Sequence, residues 1–195
     1  MQRSAFADPA RLSCVLRCAL LLLAAMLGNS AYAQIQRQHG AHVHGEATLN
    51  LALDASQLTL TLEAPGMSFA GFEHAPRDGG ERKTLDDTIA ALKAPTNWLI
   101  LPPAAGCKLD EAKVTPHGFG GSYAAEQGGD AHGAHSDFDA AYRFTCATPA
   151  ALRALDLHLF ERFPSLHKLR INLVLPERQD SVTLVPGDTR VTLSP

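Results

Sequence analysis

No stretch of this 195-residue sequence is apolar for long enough to cross a membrane as a helix. The longest run, Ala19–Leu27, has nine residues, whereas a bilayer needs about 20. Basic residues are not in excess either, with 17 Lys and Arg against 20 Asp and Glu, so the charge balance argues against a nucleic-acid partner. Cysteine is scarce, four in all, and aromatics are few, with one Trp, three Tyr and eight Phe. Catalytic signatures are missing as well: the chain contains no H-E-x-x-H, no G-x-S-x-G and no phosphate-binding glycine loop, which leaves an enzyme reading unsupported.

What is present begins with an address. Arg3, Arg11 and Arg17 precede the apolar run, and Ala31 and Ala33 frame an A-x-A cleavage site. Residues 1–33 therefore read as a cleaved signal peptide, and 34–195 as a single exported domain with no membrane insertion. Taking the leader's three arginines and one aspartate away leaves 14 basic and 19 acidic side chains, a formal charge of −5. It also takes away Cys14 and Cys18. The remaining Cys107 and Cys146 each lie in a strand-like run, and in an oxidising compartment such a pair is read as a disulfide.

Hydrophobic periodicity gives the fold class. Ala47, Leu49, Leu51 and Leu53 alternate with polar residues, as do Leu58, Leu60 and Leu62, and Asp54–Gln57 joins the two runs as a hairpin. A helix is predicted over Thr84–Lys93, capped by Thr84 and stopped by Pro95. A second, short helix is predicted from Thr148–Pro149 through Leu155. Further strands are expected at Trp98–Leu101, Cys107–Thr115, Phe138–Cys146, Leu157–Phe163, Leu169–Leu175, Ser181–Val185 and Thr189–Leu193. The sum is an α+β, mainly antiparallel and sandwich-like domain with two short helices. Between the strands, Pro116–Ser136 holds six glycines and three histidines without periodicity, and is expected to be a flexible Gly/His-rich loop.

Nine histidines follow the leader, an unusual density beside so few aromatics. Neutral imidazole suits Zn, Cu and Ni. His39, His42 and His44 lie within six residues, and His42, His44 and Glu46 continue the phase of Thr48 and Asn50. They are thus expected on the solvent-facing side of the first strand, where histidines two apart can share one ion. Glu46 would serve as a ligand or orient an imidazole. Glu73–His74 could complete a tetrahedral site if the chain folds back over the sheet. His117, His132 and His135, with Asp130 and Asp137, are expected to be weaker, mobile ligands. His158 and His167, beside Phe160 and Leu166, read as structural.

The strings His39-Gly-Ala-His-Val-His-Gly-Glu46 and Pro65-Gly-Met-Ser-Phe-Ala-Gly-Phe-Glu-His-Ala-Pro76 resemble the ZrgA-like family of exported bacterial zinc-binding proteins. Leu101-Pro-Pro-Ala-Ala-Gly-Cys107, the insertion and Phe160-Glu-Arg-Phe-Pro164 are similar too. The resemblance implies a periplasmic protein that binds Zn2+ and assists its acquisition; with no catalytic motif the chain is expected not to be an enzyme, and it is expected to be a monomer. Its partners would be the components of an ABC transport system or a periplasmic zinc carrier. It carries over His39, His42, His44, Glu73 and His74 as motif positions, and it departs from the richest members in having only three histidines in the insertion. Competing readings are an envelope chaperone or buffer for another transition metal, a zinc-dependent hydrolase, and an envelope interaction module with incidental histidines.

Overall fold

The computed structural model describes residues 43–120 and 136–193. The leucine alternation gives strands β1 (Glu46–Asp54) and β2 (Gln57–Pro65), paired antiparallel with Leu51 opposite Leu60. A short helix α1 (Gly66–Phe69) follows, then the long helix α2 (Gly79–Lys93). After a 3-10 turn come β3 (Leu99–Ile100), β4 (Cys107–His117) and β5 (Asp137–Cys146). The tail holds β6 (Ala154–Leu157), α3 (Leu159–Arg162), β7 (Lys168–Leu175), β8 (Arg178–Leu184) and β9 (Arg190–Thr192).

These strands form a six-stranded sheet in the order β4-β5-β2-β1-β7-β8 and a three-stranded one in the order β3-β6-β9. All pairings are antiparallel except β1 with β7, which run parallel. One apolar core takes Leu49, Leu60 and Ile171 from the first sheet, Leu155 and Val191 from the second, and Leu85 and Leu92 from α2. The α+β, sandwich-like and mainly antiparallel architecture is thus what the periodicity predicts, with three α-helices in place of two among the described residues. Among the described residues no helix is long and apolar enough to cross a membrane.

The outer face of the large sheet is held by polar contacts between strands. Asn50 donates to Thr61, Asn172 donates to Asn50, and Ser181 donates to Asn172, at 3.3, 2.8 and 3.2 Å. Under the other face, two buried rings donate to carbonyls in the last turn of α2, that of Ala91 also accepting from the Ala94 amide at 3.2 Å. Trp98 Nε1 donates to Ala91 O at 3.2 Å, and Tyr142 Oη donates to Leu92 O at 2.9 Å. Burial pushes the Tyr142 phenol up from its ordinary value.

Helix α2 starts five residues before the predicted Thr84. Its cap is Asp78, whose carboxylate accepts from the Glu81 amide at 2.8 Å. Glu81 reaches back to the Arg77 amide at 2.8 Å. Gly79 and Gly80 are poor helix formers and hide this start from a propensity reading. The predicted strand Leu157–Phe163 breaks after Leu157. Leu159 and Phe163, four apart, are both buried and mark the one-turn helix α3 instead. The predicted helix from Thr148 is only the 3-10 turn Pro149–Ala151, because Ala154–Leu157 pairs with both β3 and β9.

Cys107 and Cys146 stand opposite each other in the β4–β5 ladder and are disulfide-bonded. The ladder runs from that bridge to His117 opposite Asp137. Pro116 and His117 therefore belong to β4, not to the loop expected to begin there. Phe119 is buried against Phe72 and Phe138, so this end of the expected loop is anchored.

Candidate metal centre

Val43, His44 and Gly45 form a tight turn in front of β1, closed by the Glu46 amide donating to Val43 O at 3.0 Å. Gly45 has φ +78, a left-handed conformation that costs other residues. Its carbonyl accepts from the amides of His167 and Lys168 at 2.7 and 3.0 Å. A Cβ there would lie 2.9 Å from Cδ2 of His167. Only glycine fits. The turn takes His44 out of strand phase, which corrects the expectation that His42, His44 and Glu46 line one strand face.

The segment after β2 is fixed as tightly. The Gly66 amide donates to Ser136 O at 2.6 Å, and a Cβ at Gly66 would sit 2.6 Å from Phe72 O. Ser68 Oγ donates to Glu46 O at 2.9 Å, tying α1 to the start of β1. Phe69 and Phe72 are buried, Phe69 edge-on to both Phe138 and Phe163. Glu73 follows directly. Its Oε2 lies 3.2 Å from Nε2 of His44, whose side chain is 61% exposed while that of Glu73 is 10% exposed. The fold thus brings the two motif strings together at this imidazole and carboxylate.

His74 points elsewhere. Its ring stacks on Phe72, and its Nδ1 lies 3.0 Å from Ala75 O and 3.7 Å from Oε2 of Glu81. Glu81 is itself held by Arg77, whose guanidinium and amide draw its carboxyl down to about 2. The Glu46 carboxylate is ion-paired with Lys168. His117 Nε2 lies 3.2 Å from Oδ2 of Asp139, both partly buried on adjacent strands. His158 lies 3.2 Å from Glu161. His39, His42, His132 and His135, together with Asp130, lie outside the described residues.

Sequence reasoning missed Lys168, Glu81 and Asp139 as partners of these groups. Asp139 was within reach, because Asp137 and Asp139 alternate with the apolar Phe138 and Ala140. Lys168 was not, since its approach to Glu46 depends on the parallel β1–β7 pairing.

A family model described as ZrgA family zinc uptake protein matches residues 41–193, nearly all of the sequence after the leader-like segment. The chain belongs to the ZrgA family. No curated protein matches it. Membership of a zinc uptake family associates this ZrgA chain with zinc. The donors present suit that ion, since imidazole nitrogen and carboxylate oxygen are both ordinary zinc ligands. Among the described residues no group of three or more His, Cys, Asp and Glu converges as a metal cage. The His44–Glu73 pair offers one nitrogen and one oxygen, two fewer donors than a closed tetrahedral zinc site requires.

Proposed function

We propose that this ZrgA protein is a periplasmic zinc-binding protein that assists zinc acquisition by capturing the ion and passing it to an ABC transport system. The observation that carries this reading is the 3.2 Å approach of His44 Nε2 to Glu73 Oε2. It joins two motif strings 29 residues apart, in a family of zinc uptake proteins. Glu73 is largely buried and gives a fixed oxygen, whereas His44 is open to solvent and can meet an arriving ion. His42 and His39 lie next to His44 in sequence and would supply the remaining nitrogens. His74 would join only by leaving its contact with Glu81. His117, held by Asp139 at the foot of the insertion, would act with His132 and His135 as a weaker collecting site.

An open imidazole suits a carrier, because ligand exchange with a receiving protein needs one donor that can let go. Titrating metal-free protein with zinc against a chromophoric chelator tests the reading. Wild type competes for the metal, and replacing His44 and Glu73 together by Ala removes the tightest equivalent. If the double variant competes as well as wild type, this pair is not the site.

A further inference from the structure

Two of the strings that resemble the ZrgA family, Pro65–Pro76 and Phe160–Pro164, also meet at a cavity that the metal reading leaves unused. Phe69 lines it from the first string, Arg162 and Phe163 from the second, and Thr84, Asp87 and Thr88 from α2. Its volume is about 340 Å3, within the range of about 300–1,000 Å3 usual for small-molecule sites.

The lining is mixed in a specific way. Phe69 and Phe163 are buried and meet edge to face, with ring centroids 4.5 Å apart, so part of the wall is aromatic. The part from α2 is polar. The buried residues of that helix are Leu85, Thr88, Ala91 and Leu92, and Thr88, only 6% exposed, is the one with a hydroxyl. A buried hydroxyl without a partner costs free energy, and among the described residues no hydrogen bond engages this one. A polar ligand in the cavity would supply the partner. The charges around the cavity also have a sign. Asp87 Oδ2 is taken up by Lys83 Nζ at 2.6 Å, whereas among the described residues the exposed Arg162 guanidinium has no hydrogen bond or ion pair. The anion is compensated and the cation is not.

We propose that this cavity binds a small organic carboxylate with an apolar body. Arg162 and the Thr88 hydroxyl supply donors for the carboxylate, which a guanidinium can hold through two parallel hydrogen bonds. Phe69 and Phe163 pack against the body. An amine suits the cavity less, because it would meet the charge of Arg162 and compete with Lys83 for Asp87. The inference does not depend on the His44–Glu73 site, since the two share no residue.

Titrating the protein with acetate, isovalerate and phenylpropionate, followed by backbone amide NMR, tests it. The amides of Phe69, Thr88 and Phe163 should move together, and affinity should rise with the apolar size of the acid. Phenylpropionamide, which keeps the body and lacks the charge, should bind at least about tenfold more weakly than the acid, the effect of losing one hydrogen bond to a charged group. R162Q and T88V should each weaken the acid and leave the melting temperature of the unliganded protein close to that of wild type, since Arg162 is exposed and valine keeps the shape of threonine. The proposal is overturned if none of the three acids moves these amides, if acid and amide bind equally well, or if R162Q or T88V binds the acid as tightly as wild type.

Discussion

His44 Nε2 and Glu73 Oε2 meet at 3.2 Å, yet the contact does little to hold the fold together, because His44 is 61% exposed. Exposed ion pairs contribute at most about 1 kcal/mol. On the proposed function, the pair serves to bind zinc more than to stabilise the fold. The prediction is a separation of two readouts. H44A or E73Q should leave the metal-free melting temperature nearly unchanged, while the rise in melting temperature that saturating zinc gives the wild type should be largely lost. Differential scanning fluorimetry with and without zinc measures both. A large loss of metal-free stability with the zinc response intact would make the pair structural.

Protons compete with zinc for imidazole nitrogen. A site built on histidine should lose affinity steeply as pH falls through about 6.5, the ordinary range of imidazole titration, and release protons as it loads. Competition titrations between pH 8 and pH 5 check this, and a flat profile would point to a carboxylate site instead.

Gly45 links fold to site. G45A would place a Cβ 2.9 Å from the His167 ring on a backbone at φ +78. The left-handed conformation alone costs about 1–2 kcal/mol for a residue with a Cβ. The displaced turn should also carry His44 away from Glu73. Chemical denaturation should show the stability loss, and zinc titration of the folded variant a weakened first equivalent. If affinity is unchanged in a variant that is destabilised, the turn does not position the ligand.

Much of this was legible in the sequence. The alternation of Leu49, Leu51, Leu58, Leu60 and Leu62 gives β1, β2 and their inner face, because a period of two has one structural meaning. The two strings around His44 and Glu73 point to the right segments. Three things were hidden, each for a physical reason. Gly45 looked like one residue of a strand, because nothing local reveals a positive φ. The start of α2 was masked by Gly79 and Gly80, whose helical state depends on the Asp78 cap and on packing. The backbone pairing of His167 with Gly45 depends on a parallel pairing of strands whose sequences lie 122 residues apart, Glu46 with Lys168.

The Cys107–Cys146 bridge sits at one end of the β4–β5 ladder, and His117 with Asp137 at the other. Cross-linking across 39 residues should stabilise the fold by about 4 kcal/mol through loop-closure entropy in the unfolded chain. Replacing both cysteines by Ala should cost about that much in a denaturant titration. Zinc affinity at His44 and Glu73 should survive, since neither belongs to this ladder. Loss of zinc binding in folded, bridge-free protein would tie the two regions together.

Glu81 gives the fold an acid-sensitive joint. The Arg77 guanidinium and amide hold its carboxyl at about 2 in the folded protein, against an ordinary value of 4.5. A carboxyl with a lowered folded-state value adds stability that is fully present above the unfolded value and lost as protonation sets in. Here the contribution should be constant above about pH 5 and should fade between 4.5 and 2. E81Q lacks it at every pH, so wild type should exceed E81Q in stability by a constant margin near neutrality. That margin should narrow as the solution is acidified through this window. Salt should narrow it too, because Arg77 is exposed and its attraction is screened. Urea titrations of both proteins at neutral pH and at pH 3 decide the matter: a margin that does not shrink at pH 3 would mean that Glu81 acts through packing and not through its charge.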